Sequence, residues 1–358
     1  MATTVKETTQ ANPLGPGTNV PGKEMRYREA FNKTLRDELR RDPSVFIMGE
    51  DVAGGAGREH LGIIDSWGGP FAATKGLIQE FGAKRIKDTP ISEAAMVGAA
   101  VGAALTGTRP VVDLMYFDFT TVAFDQLLSN AAKSRYMFGG QTKIPITLFA
   151  RSGAGTGHAA QHSENFYSII AHIPGLKIVA PSDPYTVRGL LAAAIRDDDP
   201  VIVCNHKKLI NLSGFVPDES YVVEIGKGRR VREGSDVTLV GMSWTTEVCK
   251  QAADELAKQG VSADVIDVLS MSPLDEDIIL DSVKKTNRVV IVDEDTPRCS
   301  MASEIAAVIA DQAFDYLDAP VKRVTGPHTP VPYSRPLETV FIPDAPAVVA
   351  TTRKLLGL

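Results

Sequence analysis

The sequence predicts two α/β domains in one chain, each built on a largely parallel sheet. Three observations carry this expectation. Short apolar, β-branched-rich runs recur along the chain, helical patterns lie between them, and the alternation stops over one polar stretch before restarting.

The first domain is read over residues 25–205. Its strands are 45-VFIMG-49, 111-VVDLMYF-117, 144-IPITLFA-150, 176-LKIVAP-181 and 201-VIVCN-205, near-continuous apolar runs of the kind buried on both faces of a parallel sheet. Helical patterns over 27–42, 93–105, 121–138 and 185–197 alternate with them. Residues 206–235 are polar, carry Pro217 and the basic run 227-KGRRVR-232, and read as a linker. The second domain, 236–358, repeats the alternation. Strands are expected at 237–243, 264–270, 288–294 and 321–326, with helices over 245–259, 275–285, 300–313 and about 345–356. The tail 326-GPHTPVPYSRP-336 is too proline-rich for a helix. Residues 1–24, rich in Thr, Pro, Gly and Asn, read as a flexible N-terminal arm without the apolar core of a signal peptide.

Composition excludes several classes. A net charge of −6, with 227-KGRRVR-232 as a single short basic run, argues against nucleic acid as a main partner. Cys204, Cys249 and Cys299 are far apart and form no CxxC, so they suggest neither a disulfide framework nor a zinc knuckle, and fit a reducing, cytoplasmic setting. The most apolar window, Ala94–Leu105, is far shorter than the roughly 20 residues a membrane span needs.

Two segments point to chemistry. In 88-DTPISEAAMVGAAVGAALTG-107, Ser92 is a natural N-cap, so Glu93 falls in the first helical turn, where an acid complements the helix dipole. Gly98 and Gly102 follow among alanines. Each mid-helix glycine costs about 1 kcal/mol relative to alanine, which suggests that another backbone packs close, at a subunit or domain interface. An acid at such a dry edge is placed to share a proton with a ligand nitrogen.

In 153-GAGTGHAAQH-162 the glycines do not complete GxGxxG, because His158 stands where the last would be, and no GxxxxGK[ST] occurs. The segment is either a plain turn or a loop whose backbone approaches a ligand. His158 and His162 are four apart, the spacing of a helical metal pair. That spacing keeps open a metal-dependent hydrolase, although no HExxH and no third ligand accompany them. Either histidine also suits general acid–base work.

Together 47-IMGEDVAGGAGR-58, the 88–119 block ending in MYFDF, 125-DQLLSNAAKSRYMFGG-140, 159-AAQHSENF-166, 172-HIPGLKIVAPSDP-184 and 192-AAAIRDDDPVI-202 resemble the β subunit of the E1 component of 2-oxo acid dehydrogenase complexes. The likeness covers about residues 25–358. It implies a thiamine-diphosphate-binding, pyrimidine-type domain followed by a transketolase C-terminal-like domain, in an α2β2 heterotetramer with α–β and β–β contacts. It implies that Glu93 hydrogen-bonds N1′ of the cofactor aminopyrimidine, that Phe119 packs on that ring, and that Ile91 lines the same pocket. His162 falls on the family's active-site histidine, which aids proton transfer as the acyl group passes to the lipoyl arm of E2. The resemblance also implies a potassium site: Ile146, Ala194 and Ile195 through carbonyls, with Asp197 and Asp199.

The GDG motif that binds Mg²⁺ and the diphosphate in thiamine enzymes is missing. A β subunit is expected to lack it, because the α subunit supplies it. The chain is therefore expected to carry half a site and to act only with its α partner. Within the family, 50-EDVAGGAGREHLGIIDSWGG-69 and 327-PHTPVPYS-334 look most like acetoin dehydrogenase β subunits, with pyruvate and branched-chain 2-oxo acid enzymes as the alternatives. The stretch 206-HKKLINLSGFVPDESY-221 departs from the family's usual pattern, with an apolar 209-LINL-212 where a short polar stretch is expected.

Overall fold

Three sheets organise residues 20–54 and 67–358, the part of the chain that the computed structural model describes. The strands are β1 (Gly22–Arg26), β2 (Val45–Gly49), β3 (Ile86–Asp88), β4 (Arg109–Tyr116), β5 (Thr147–Ser152), β6 (Lys177–Val179) and β7 (Val201–His206). After them come β8 (Ser213–Pro217), β9 (Arg229–Arg232), β10 (Val237–Gly241), β11 (Ala263–Asp267), β12 (Ser270–Ser272), β13 (Val289–Asp293) and β14 (Lys322–Thr325). The helices of the first half are α1 (Tyr27–Arg41), α2 (Leu77–Phe81), α3 (Glu93–Leu105), α4 (Ser134–Met137), α5 (Tyr167–Ala171) and α6 (Pro184–Arg196). Those of the second are α7 (Trp244–Ala257), α8 (Glu276–Thr286), α9 (Met301–Gln312), α10 (Arg335–Phe341) and α11 (Ala345–Leu356).

The first domain is a seven-stranded sheet in the order β12-β6-β7-β5-β4-β2-β3, parallel except for β12. Every residue of β5 is buried, as expected of a central strand covered on both faces. Alternation divides its side chains. Leu148 and Ala150 join the layer under α3 and α5, whereas Phe149 joins the layer under α1, α2 and α6. α6 starts where the sequence signals a start: Asp183 accepts from Thr186 N at 2.7 Å, and Pro184 opens the first turn.

The second sheet runs β14-β13-β10-β11-β9. α7 and α11 cover one face, while α8 and α9 pack into the same core cluster as α3 and β5 of the first domain. The two domains thus share one continuous core. β12 reinforces this. After Leu269, at φ +57°, the chain leaves the second domain and pairs antiparallel with β6.

Several expectations need correction. The helix expected over 121–138 is broken into a tight turn at Phe117–Thr121, a π-helical turn at Gln126–Ala131, and α4. The Thr120 and Thr121 hydroxyls donate to the carbonyls of Phe117 and Asp118. Side-chain competition of this kind favours turns over continuous helix. The stretch 206–235 is more ordered than a bare linker: β8 pairs with β1, and β9 forms the antiparallel edge of the second sheet. β1 also reaches back into the stretch read as an arm. The run 264–270 splits into β11 and β12. α10 begins at Arg335, inside the stretch read as too proline-rich for a helix, because Pro336 is tolerated in a first turn.

Candidate functional site

The chemistry-bearing side chains collect along one edge of the seven-stranded sheet, at the carboxyl ends of its parallel strands. Open α/β sheets bind ligands at this edge. Glu50 follows β2 and Glu93 follows β3. Tyr116 and Phe119 end or follow β4, His158 and His162 follow β5, and Lys207 follows β7.

Glu93 is the first residue of α3 and only 8% exposed. Among the described residues its carboxylate takes no hydrogen bond, and Ser92, although at the cap position, makes no capping bond. Burial raises the Glu50 carboxyl, with Asp51 and Glu93 adding repulsion. Two acids therefore face one another across the ends of β2 and β3, and Glu93 has a free carboxylate at a helix N-terminus.

Phe119 and His162 are brought together, with ring centroids 5.4 Å apart. Tyr116 joins them, edge-on to His162 at 4.5 Å and 5.7 Å from Phe119. His158 lies 5.8 Å from the same Tyr116 ring, and its Nδ1 is 2.7 Å from the Thr156 hydroxyl. Burial, then the charge of Lys207 and the proximity of His162, lower the His158 pKa, which favours neutral imidazole. The two histidines share no helix, because Ala159 at φ +58° separates them. Among the described residues no group of three His, Cys, Asp or Glu is placed to hold a metal. The helical metal pair behind the hydrolase reading is therefore not formed.

Ile91 is 72% exposed, and none of the described residues closes a pocket over it. The small face of α3 is also open. A Cβ on Gly102 would meet nothing within 4 Å, and one on Gly98 would meet only Gln126 Cγ at 3.5 Å. Among the described residues, neither glycine is required for a close approach within this chain.

The loop 153-GAGTG-157 leaves no free backbone for a phosphate. Gly153 N donates to the Glu164 carbonyl at 3.3 Å, and the four N–H groups after it are taken by carboxylates of the second domain. Glu338 accepts from Gly155, Thr156 and Gly157 at 2.6–3.2 Å, and Glu294 accepts from Ala154 at 2.5 Å. The plain-turn reading survives in a more ordered form, as an anion nest filled by the chain's own acids.

The five candidate potassium ligands lie at the opposite, amino edge of the sheet. Lys177 Nζ reaches Asp197 at 2.7 Å, Arg135 reaches Asp199 at 2.5 Å, and Arg109 reaches the Ile195 carbonyl at 3.2 Å. The Ile146 carbonyl accepts from Val201 N, and that of Ala194 from Asp197 N. The set converges, but protein cations already balance its carboxylates.

Sequence reasoning missed Glu50, Tyr116, Asp118, Lys207 and Glu338 as site residues. Four of these lie at or within two residues of a parallel strand's carboxyl end, a signal available in principle. Glu338, on α10, had none. Much of 50–69, one of the stretches on which an acetoin-type likeness was read, lies outside the described residues.

Comparison with known proteins meets this geometry. The transketolase pyrimidine-binding domain matches residues 23–212, and the transketolase C-terminal domain matches 226–348. The β subunit of acetoin:2,6-dichlorophenolindophenol oxidoreductase from Bacillus subtilis is 49% identical over 92% of this chain and 96% of its own length. The chain belongs to the E1 β-subunit family of thiamine-diphosphate-dependent dehydrogenases. Within that family, a mitochondrial pyruvate dehydrogenase E1 subunit beta-2 from Oryza sativa is 42% identical over 93% of this chain and 86% of its own. Among solved structures, a split-gene transketolase in an inactive β4 tetramer superposes with a TM-score of 0.73 at 23% identity, over 93% of this chain and 98% of that one, and shares the fold. As an E1 β chain, this protein presents its histidines and Glu93 on the pyrimidine-binding domain. No described helix is long and apolar enough to cross a membrane.

Proposed function

We propose that the chain is the β subunit of an acetoin dehydrogenase E1, holding the aminopyrimidine half of thiamine diphosphate and working only with an α subunit. The observation that carries the reading is Glu93: a residue only 8% exposed at the ligand-binding edge, whose carboxylate has no protein partner among the described residues and is left open to a ligand. A ring nitrogen sharing a proton supplies the donor that such a group can accept from.

The remaining residues fit the same half-site. Thiamine diphosphate, when bound, supplies the electron sink for breaking the carbon–carbon bond beside a carbonyl. Glu93 would hold the proton at N1′, and Phe119 would pack on the aminopyrimidine. His162, kept on the Tyr116 ring, would move a proton as the acyl group leaves for a lipoyl-bearing E2. Ile91 and the open face of α3 would meet neighbouring subunits of an α2β2 assembly, which would complete the pocket. No GDG is present in this chain, so the α subunit would hold Mg²⁺ and the diphosphate. Potassium would rest on the Ile146, Ala194 and Ile195 carbonyls, each with a second lone pair, and would reach Asp197 and Asp199 only by displacing Lys177 and Arg135. The free, separated thiols suit a cytoplasmic setting.

The acetoin assignment rests on the nearer relative and on the 327–334 stretch. Co-expression with an α subunit of the acetoin type tests it, followed by dye reduction with acetoin, pyruvate and branched 2-oxo acids in parallel. Preference for acetoin is expected. Preference for pyruvate or a branched acid would replace the substrate and keep the E1 β reading.

A further inference from the structure

The segment 206-HKK-208, which follows β7, sends three consecutive side chains to three points on the loop that carries His158 and His162. His206 Nε2 lies 2.8 Å from Glu294 Oε2, whose other oxygen holds Ala154 N. The His206 ring also fills the space beside Gly153, where a Cβ would come within 1.9 Å of it at φ +84°. Lys208 lies along Gly155, and its ammonium sits 4.1 Å from the centre of the Trp244 ring. Lys207 is 3% exposed and donates to the His162 carbonyl and to Ser163 Oγ. Its ammonium lies 5.6 Å from the centre of the Tyr116 ring, the ring that His162 meets edge-on. From the other side, Asp118 Oδ1 accepts the Ser163 and Glu164 N–H groups at 3.2 and 3.3 Å.

We propose that 206-HKK-208 is a positioning clamp for loop 153–164, in which the Lys207 ammonium fixes where the His162 imidazole stands. The clamp rests on the reading of His162 as a proton-handling residue only for its effect on turnover. Its geometric claim stands apart from that reading. An ammonium suits the position because it has three donors. Two are spent on His162 O and Ser163 Oγ, and its charge is balanced by Asp118, Glu294 and Glu338. Burial draws the Lys207 pKa down to about 8, with those three acids opposing the shift. The clamp should therefore loosen in mildly alkaline solution. The other titratable groups around the ammonium are His158, His162 and Tyr116; burial lowers His158 and raises Tyr116, which moves both away from that window.

The test follows the His162 side-chain resonance of the full-length chain by NMR, assigned by its loss in His162→Gln. In the wild type the resonance should show an inflection near pH 8. In Lys207→Met the inflection should be gone, and the resonance should sit near the value of an unstructured histidine. In the α–β complex, Lys207→Met should lower kcat by about 100-fold, the scale of a misplaced catalytic group, with KM little changed. An inflection that persists in Lys207→Met would belong to Asp295, which also titrates near that pH, and would overturn the clamp. So would a wild-type resonance flat across pH 8, which needs no variant to fold. If the resonance behaves as stated but the wild-type complex turns over no substrate, the clamp stands and the function assigned above falls.

Discussion

The Tyr116 ring stands edge-on to the His162 imidazole with centroids 4.5 Å apart, and the same ring carries the Lys207 ammonium on its face side at 5.6 Å. A histidine held this way is oriented by an aromatic wall rather than by a carboxylate. On the proposed function, its role lies in moving a proton at a late stage rather than in activating the cofactor. His162→Ala should reduce transfer to a lipoyl domain by roughly 100-fold or more, the usual span of acid–base catalysis, while dye reduction falls far less. Parallel assays of the two reactions on one preparation decide this, and equal losses would remove the assigned role.

Glu338 governs the loop ahead of that histidine. One carboxylate accepts three consecutive N–H groups across the domain boundary, and charged hydrogen bonds of this kind contribute about 1.5–3 kcal/mol each before desolvation is counted. Glu338→Ala should destabilise the chain by roughly 1–3 kcal/mol, because it removes a carboxylate that three part-buried N–H groups share, and should speed amide exchange at Gly155, Thr156 and Gly157. Denaturant unfolding and hydrogen exchange measure both. Unchanged exchange at those three amides would contradict the nest.

The exposed glycine of α3 separates folding from assembly. Gly102→Ala should stabilise the isolated chain by about 0.5–1 kcal/mol, since the added methyl meets nothing. Gly102→Leu should fold as well but fail to form the α–β assembly, visible by size-exclusion chromatography with light scattering. A normal tetramer with leucine at this position would show that the face is not an interface.

Asp295 gives a pH signature. Burial, then repulsion from Asp293, raises its carboxyl to about 8, so at neutral pH the folded chain holds a proton there that the unfolded chain has released. Stability from this group is therefore present in acid and lost as pH rises between about 4 and 8. Asp295→Asn should flatten that fall and raise stability at pH 8 by on the order of 1 kcal/mol, read from denaturant midpoints at several pH values.

Much of this was legible in the residues. The alternation of apolar runs and helical patterns marks β2, β4 to β7 and, in the second domain, β10, β11, β13 and β14, and the small-residue run matches α3 from Glu93 to Leu105. Phe119 and His162 were named as site residues, and the structure brings them together. What escaped depends on partners far away in sequence. β1 is short and mostly polar, β8 is short and carries Gly214 and Pro217, and the two become strands only by pairing with each other. The nest at 153–157 needs Glu338, and the clamp needs the turn after β7 to fold back onto the turn after β5. Local pattern carries no record of such contacts. It likewise gave no hint that Lys177 and Arg135 would neutralise Asp197 and Asp199.

The central claim is that Glu93 completes its hydrogen bonding through the cofactor. Its most direct measure is the Glu93→Gln variant in the α–β complex, assayed for substrate-driven dye reduction alongside circular dichroism and assembly state. The account predicts a correctly folded tetramer whose turnover is lost by at least about 100-fold, as expected when an essential proton-handling group is removed. Near-wild-type turnover in that tetramer would contradict it.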